Sequence, residues 1–138
     1  MIIKQLTVFL ENKSGRLTEV TEILSSANIN ISALSIAETS EYGILRLIVS
    51  DPEVAVKALK ENLFSVNLTD VICLCIPNQP GSLMSAIKVL SNANVSVEYM
   101  YAFAKGDRAQ AIIRCDDSDK AISLFSEHKM ELLEESDL

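Results

Sequence analysis

The sequence is short of positive charge, of cysteine and of long apolar runs. Its 138 residues carry 12 Lys and Arg against 19 Asp and Glu, a net charge of −7. Nucleic-acid binding needs a cation surplus to displace phosphate counterions, and this chain has a deficit. The same deficit argues against anionic membrane surfaces. No apolar stretch approaches the roughly 20 residues that cross a bilayer. The first ten residues, Met1 to Leu10, lack the charged-then-apolar layout of a secretory signal. Three cysteines do not make a disulfide framework, so a reducing, cytoplasmic setting is expected. Cys73 and Cys75 share one face of a predicted strand, without loop spacing or histidine, and read as small hydrophobes, as does Cys115. His128 is the single histidine and reads as a surface residue at a helix end. No nucleophile–base pair or carboxylate dyad is evident. The chain is read as non-catalytic, with no metal and no cofactor.

What the sequence does have is a repeat. Shifted by 66 positions, Asn12, Lys13, Ser14, Gly15, Arg16 and Leu17 fall on Asn78, Gln79, Pro80, Gly81, Ser82 and Leu83. Between residues 12–30 and 78–96, 7 of 19 positions are identical without a gap, where roughly one is expected from average composition. A repeat means one supersecondary unit used twice, with an internal interface between the copies. A 66-residue half alone would bury only about 60% of its unfolded surface, so the halves are expected to share buried area.

Each half shows the same order of patterns. Residues 4–11 alternate as a strand does. From Arg16 the period becomes helical, with Leu17, Val20, Leu24 and Ala27 on one stripe and Asn28 at the exit. Residues 29–39 and 44–50 predict a hairpin about Glu41-Tyr42-Gly43. Asp51 and Pro52 open a second helix that buries Ala55, Val56 and Leu59, and residues 65–68 form a closing strand. The second half predicts strands over 71–76, 95–104, 109–115 and 130–134 and helices over 82–93 and 118–127, with Asp117 as a cap. The order is β-α-β-β-α-β, the ferredoxin-like split arrangement, twice. Only Thr69-Asp70 separates the halves, which leaves no flexible linker. The acidic end, residues 134–138, is expected to fray.

The order strand, Asn-x-Pro-Gly-x-Leu, helix, Asn, β-branched pair resembles the ACT domain family of small-molecule-binding regulatory modules. The motif stands as Asn78 to Leu83 with Ala93-Asn94-Val95-Ser96-Val97, and a degraded copy stands as Asn12 to Leu17 with Ala27-Asn28-Ile29-Asn30-Ile31. The resemblance implies an α+β fold with two domains, residues 1–69 and 70–138. The two ferredoxin-like units would lie side by side, their antiparallel sheets joined into one eight-stranded sheet with helices on one face. It also implies that an effector, a free amino acid or similar small zwitterion, binds at the seam between the units. The chemistry is reasonable on its own terms. Helix N-terminal N–H groups attract a carboxylate, Gly15 and Gly81 permit close approach to the main chain, and an amide accepts from an ammonium while donating to a carboxylate.

Carried over residue by residue, the resemblance gives two unequal pockets. One pairs the 78–83 loop with Asn30 and Ile31, the other pairs the 12–17 loop with Ser96. The first keeps Pro80-Gly81 and two amides and is expected to bind more tightly. Glu98, near Ser96, is a candidate partner for a basic ligand. Against these stands the plain reading that Asn12 and Asn78 only brace a turn, with Leu17 and Leu83 in the core. Two other functions remain open: a protein-interaction scaffold with vestigial pockets, and an acylphosphatase-like hydrolase using Arg16 with Asn30.

Strand alternation puts Val97, Tyr99, Tyr101 and Phe103 on the helix-facing side, in place of Ile31, Ala33 and Ser35. The opposite face would carry Phe9, Leu34, Ile36, Cys73, Cys75, Met100 and Ile112. That face is more apolar than one in contact with water. It predicts a homodimer packed face to face.

Overall fold

The computed structural model describes residues 1–38 and 41–138. Thr39, the expected end of the second strand, lies outside the described residues. The described chain contains seven strands and four α-helices: β1 Ile3–Glu11, α1 Arg16–Ser26, β2 Ile31–Glu38, β3 Tyr42–Val49, α2 Pro52–Glu61, β4 Ser65–Pro77, α3 Ser82–Asn92, β5 Val97–Lys105, β6 Arg108–Cys115, α4 Ser118–Glu127 and β7 Glu131–Leu132. No described helix is long and apolar enough to cross a membrane. The chain divides into two compact units. One is Lys4–Thr69; the other is Asp70–Leu138 together with Met1–Ile3.

Seven strands replace the eight expected. The predicted closing strand of the first half and opening strand of the second are one continuous β4 of 13 residues. Thr69-Asp70 contains neither glycine nor proline, and Thr is β-branched, so nothing there breaks an extended chain.

In the Lys4–Thr69 unit the strands run in the order β2-β3-β1, with the start of β4 beside β1. Thr7 and Thr69 share a hydroxyl hydrogen bond of 3.2 Å across that pair. Leu6, Val8 and Leu10 of β1 and Leu45, Leu47 and Val49 of β3 meet Val20 and Leu24 of α1 and Ala55 and Leu59 of α2 in one core. In the other unit the order is β7-β4-β6-β5. Ile72, Leu74, Ile76, Ala111 and Ile113 meet Ala86, Leu90, Ala121 and Phe125 there. The 66-residue offset relates the two cores position by position. The volume lost from Leu45 to Ala111 is partly returned from Leu59 to Phe125, as close packing requires.

The helix ends follow local chemistry. Asp51 Oδ1 accepts from the Val54 N–H at 3.2 Å, and Asp117 Oδ1 accepts from the Lys120 N–H at 3.0 Å. The helices exit through left-handed residues, Asn28, Leu63, Asn94 and Lys129. His128 is the exposed C-cap of α4, its Nδ1 2.8 Å from the Leu124 carbonyl. The acidic end is ordered rather than frayed. Residues Glu135–Asp137 make a 3₁₀ turn, Glu134 and Asp137 cap each other reciprocally, and the Met1 ammonium lies 2.7 Å from Glu134 Oε2.

The face assignments hold for Ile31 and Val97, which pack against their cores, and are overturned beyond them. Each unit has a β-bulge at the start of its second strand, between Ile31 and Ala33 and between Val97 and Tyr99. One extra residue inverts the alternation beyond it. Leu34 and Ile36 therefore oppose the core residues Leu47 and Leu45 and share their helix-facing side. Met100 opposes Ile113 and packs on the helix-side core. Tyr99, Tyr101 and Phe103 oppose Arg114, Ile112 and Gln110 on the other side, with Cys73 and Cys75. The predicted apolar face thus loses Leu34, Ile36 and Met100. Leu34 and Ile36 are nonetheless half exposed at the sheet margin.

Two predictions follow from the caps and thiols. Replacing Asp51 or Asp117 by Ala leaves one N-terminal N–H without its acceptor, so each variant should lose about 1 kcal/mol in urea unfolding. Burial, with Cys75 nearby as a lesser cause, pushes the Cys73 thiol from 9.0 up to about 12. The unfolded chain releases that proton first, so stability should fall as pH rises from about 9 toward 12. Cys73→Ala should flatten the decline measured in that window.

Candidate functional site

The 78–83 loop joins β4 to α3. The Asn78 N–H donates to the Asp107 carbonyl at 2.8 Å, and its Nδ2 donates to the Gly106 carbonyl at 3.2 Å. The loop is thereby fastened to the β5–β6 turn. Gln79 N–H to Pro77 O at 2.9 Å and Ser82 N–H to Gln79 O at 3.2 Å tighten it. Gly81 caps the helix with φ +88°, and a Cβ there would meet nothing within 4 Å. Glycine is required for its left-handed backbone, not for space. The 12–17 loop is built alike, with Gly15 at φ +90°. Asn78 therefore does brace a turn, but across strands, its side chain contributing one donor. Among the described residues its Oδ1 takes no hydrogen bond.

The two loops differ in charge. At the first, Lys13 Nζ lies 2.8 Å from Glu11 Oε2, and Arg16 lies 3.8 Å from Glu11 and 3.0 Å from Glu19. Lys13, with Arg16 adding to it, holds the Glu11 carboxyl below its usual range. At the second, Pro77, Gln79 and Ser82 replace Glu11, Lys13 and Arg16. No acidic residue lies in the first turn of α3 and no side chain caps it, whereas α1 has Glu19. The α3 N-terminus presents its partial positive charge uncompensated.

Beneath that terminus lies a concavity of about 240 Å³ lined by Ile76, Pro77, Asn78, Gln79, Ser82, Leu83, Ala102, Phe103, Ala104, Ala109 and Ala111. Four of the six residues expected from this loop line it; Pro80 and Gly81 only shape the turn. Leu83 is 40% exposed and Leu17 38%, so neither is core. The alanines of β5 and β6 were not expected from the motif. The signal for them was in the repeat, where Ala102 aligns with Ile36 and Ala111 with Leu45.

The other expected residues lie elsewhere in their units. Asn30 and Ile31 line a concavity of about 370 Å³ with Thr21, Leu24, Ser25 and Asn28, beyond the C-terminus of α1. The 12–17 loop, with Ser14 within it, precedes the N-terminus of the same helix, roughly 16 Å away by helix rise. Arg16 and Asn30 are thus at opposite ends of α1, so the hydrolase pairing is not formed. Arg16 instead borders a concavity of about 450 Å³ with Phe9, Glu11, Tyr42 and Phe64. Asn30 and Ser96 are exposed and occupy equivalent places. Their N–H groups donate to Ser50 Oγ and Asp116 Oδ1, both at 2.9 Å. Glu98 pairs with Arg114 at 3.3 Å. Cys73 and Cys115 are buried and Cys75 half-buried.

Gly81→Ala should cost about 1–2 kcal/mol, the left-handed penalty of an L-residue, with no added clash. Denaturant unfolding measures it; a cost well above that range would mean the loop depends on open space at Gly81.

The comparisons with known proteins agree with this architecture. The family profile described as "ACT domain pair" matches residues 1–138. Protein BT0572 from Bacteroides thetaiotaomicron is 55% identical, with a TM-score of 0.96 over 99% of this chain and 95% of that one. The ligand-free regulatory subunit of aspartate kinase from Thermus thermophilus is 14% identical, with a TM-score of 0.69 over 91% of this chain and 93% of that one. At that identity the likeness shows the fold. No curated protein matches. With its profile matched from end to end, the chain belongs to the ACT domain pair family.

Proposed function

We propose that this protein is a non-catalytic regulator that binds a small zwitterion, an amino acid, with the 78–83 loop as its anchor. The observation that carries the reading is the uncapped, acid-free N-terminus of α3 opening onto a concavity. A ligand carboxylate there meets unpaired main-chain N–H groups and the helix partial charge, and the Asn78 Oδ1 can accept from its ammonium. The 12–17 loop is the weaker site, because Glu11 and Glu19 already occupy its positive field.

The second amide, Asn30, comes in this reading from a second copy of the chain. β2 and β5 each have one hydrogen-bonded neighbour, β3 and β6 respectively. Their outer edges suit a homodimer whose sheets continue from copy to copy, with Leu34 and Ile36 covered at the join. Three free cysteines suit a reducing, cytoplasmic setting. The Thermus thermophilus neighbour, a regulatory subunit of aspartate kinase, is in keeping with this role.

A thermal-shift screen of the twenty amino acids tests it. A ligand at 100 times its Kd adds about 2.7 kcal/mol, roughly 8 °C in Tm for a chain of this size. Calorimetry should then show at least tenfold loss for Asn78→Ala and for Asn30→Ala, and little for Asn12→Ala. Equal losses for Asn12→Ala and Asn30→Ala would overturn the unequal-site reading, and a monomer at micromolar concentration would remove the dimer.

A further inference from the structure

The floor of the 78–83 concavity is an alanine cluster, and its first-unit counterpart is filled. By the 66-residue offset, which the strand register obeys (Ile36↔Leu45 and Ala102↔Ala111; Leu10↔Gly43 and Ile76↔Ala109), Ile36 stands for Ala102, Leu45 for Ala111 and Gly43 for Ala109. In the first unit the Ile36 side chain occupies the space. Its Cγ2 would lie 3.9 Å from a Cβ built on Gly43. In the second, eight side-chain carbons at these three positions become three. Ala111 is buried and Ala102 and Ala104 are exposed, so the space opens outward beside Asn78. The bulge between Val97 and Tyr99 makes this possible. It turns Ala102 and Ala104 toward the concavity, where uninterrupted alternation would have placed Tyr101 and Phe103.

The lining holds no charged side chain, only the amides of Asn78 and Gln79 and the hydroxyl of Ser82 at the loop rim. An ionised side chain entering it would lose water without a counter-charge. An apolar one would gain burial against alanine, Ile76 and Leu83. The volume, about 240 Å³, exceeds the roughly 150 Å³ in which an apolar cavity accepts benzene. We infer that the effector is an amino acid with an aliphatic or aromatic side chain of leucine to phenylalanine size, seated on the Ala102–Ala109–Ala111 floor. This rests on the anchoring role of the 78–83 loop proposed above.

Ala102→Ile reproduces the first unit, where isoleucine is accommodated at the same strand position. Ala102→Val gives a graded step. The full-length protein and both variants are titrated with the twenty amino acids, each at about 10 mM in a thermal-shift assay, and the binders are then followed by calorimetry. Leucine, isoleucine, methionine or phenylalanine should bind best to the wild type, with affinity rising about fourfold per methylene added. Ala102→Ile should weaken them at least about thirtyfold and Ala102→Val less, while alanine changes by under about threefold. A ligand-free Tm within a few degrees of wild type separates this selective loss from unfolding. Preference for aspartate, glutamate, lysine or arginine overturns the inference and leaves the anchoring role standing. Unchanged leucine affinity in folded Ala102→Ile overturns it as well. If none of the twenty stabilises the wild type, the amino-acid reading itself fails and the inference with it.

Discussion

A single extra residue at the start of the second strand of each unit governs what the rest of the sheet can do. Because side chains alternate with period two, the bulges at Ile31/Ala33 and Val97/Tyr99 reverse every position that follows them. In the first unit this carries Leu34 and Ile36 to the helix-facing side. There Leu34 and Ile36 oppose Leu47 and Leu45, and Ile36 also lies against Gly43. In the second it carries Ala102 and Ala104 to that side and sends Tyr101 and Phe103 to the other. The same bulge therefore yields a filled floor in one unit and a concave one in its twin. The difference lies in side-chain volume, not in backbone.

A second constraint acts at the helix starts. Gly15 and Gly81 adopt left-handed backbone conformations of nearly equal φ, so both loops aim the first turn of a helix the same way. Their charges then separate them. Glu11, Lys13, Arg16 and Glu19 form a closed set of ion pairs around the first. The second has no ionisable residue at the three equivalent loop positions and none in its first turn. The two copies share one helix-start geometry and differ in charge, with carboxylates beside the first and none in the first turn of the second.

Much of this architecture was legible in the chain itself. Strong periodicity, the Asp51 and Asp117 caps and the Asn28 exit placed all four helices within a residue or two, since each signal is local. The motif residues Asn78, Gln79, Ser82 and Leu83 do border the concavity. Three features were not legible. The fusion of two short strands into β4 depends on the absence of a breaker at Thr69-Asp70, a weaker cue than a turn residue. The bulges carry no glycine or proline to mark them, and one unmarked residue is enough to invert a face. The acidic tail looked solvated, but reciprocal capping and the Met1 ammonium order it, a contact 133 residues apart in sequence.

The sequence by itself determined the repeat, the βαββαβ order and the loop chemistry, because these rest on spacing and on interactions within one helical turn. Only the tertiary structure decided which strand face Ala102 and Tyr101 occupy, and that Arg16 and Asn30 stand at opposite ends of α1. Those outcomes depend on hydrogen-bond register between strands and on the reach of a rigid helix, quantities that exist only once distant segments have paired.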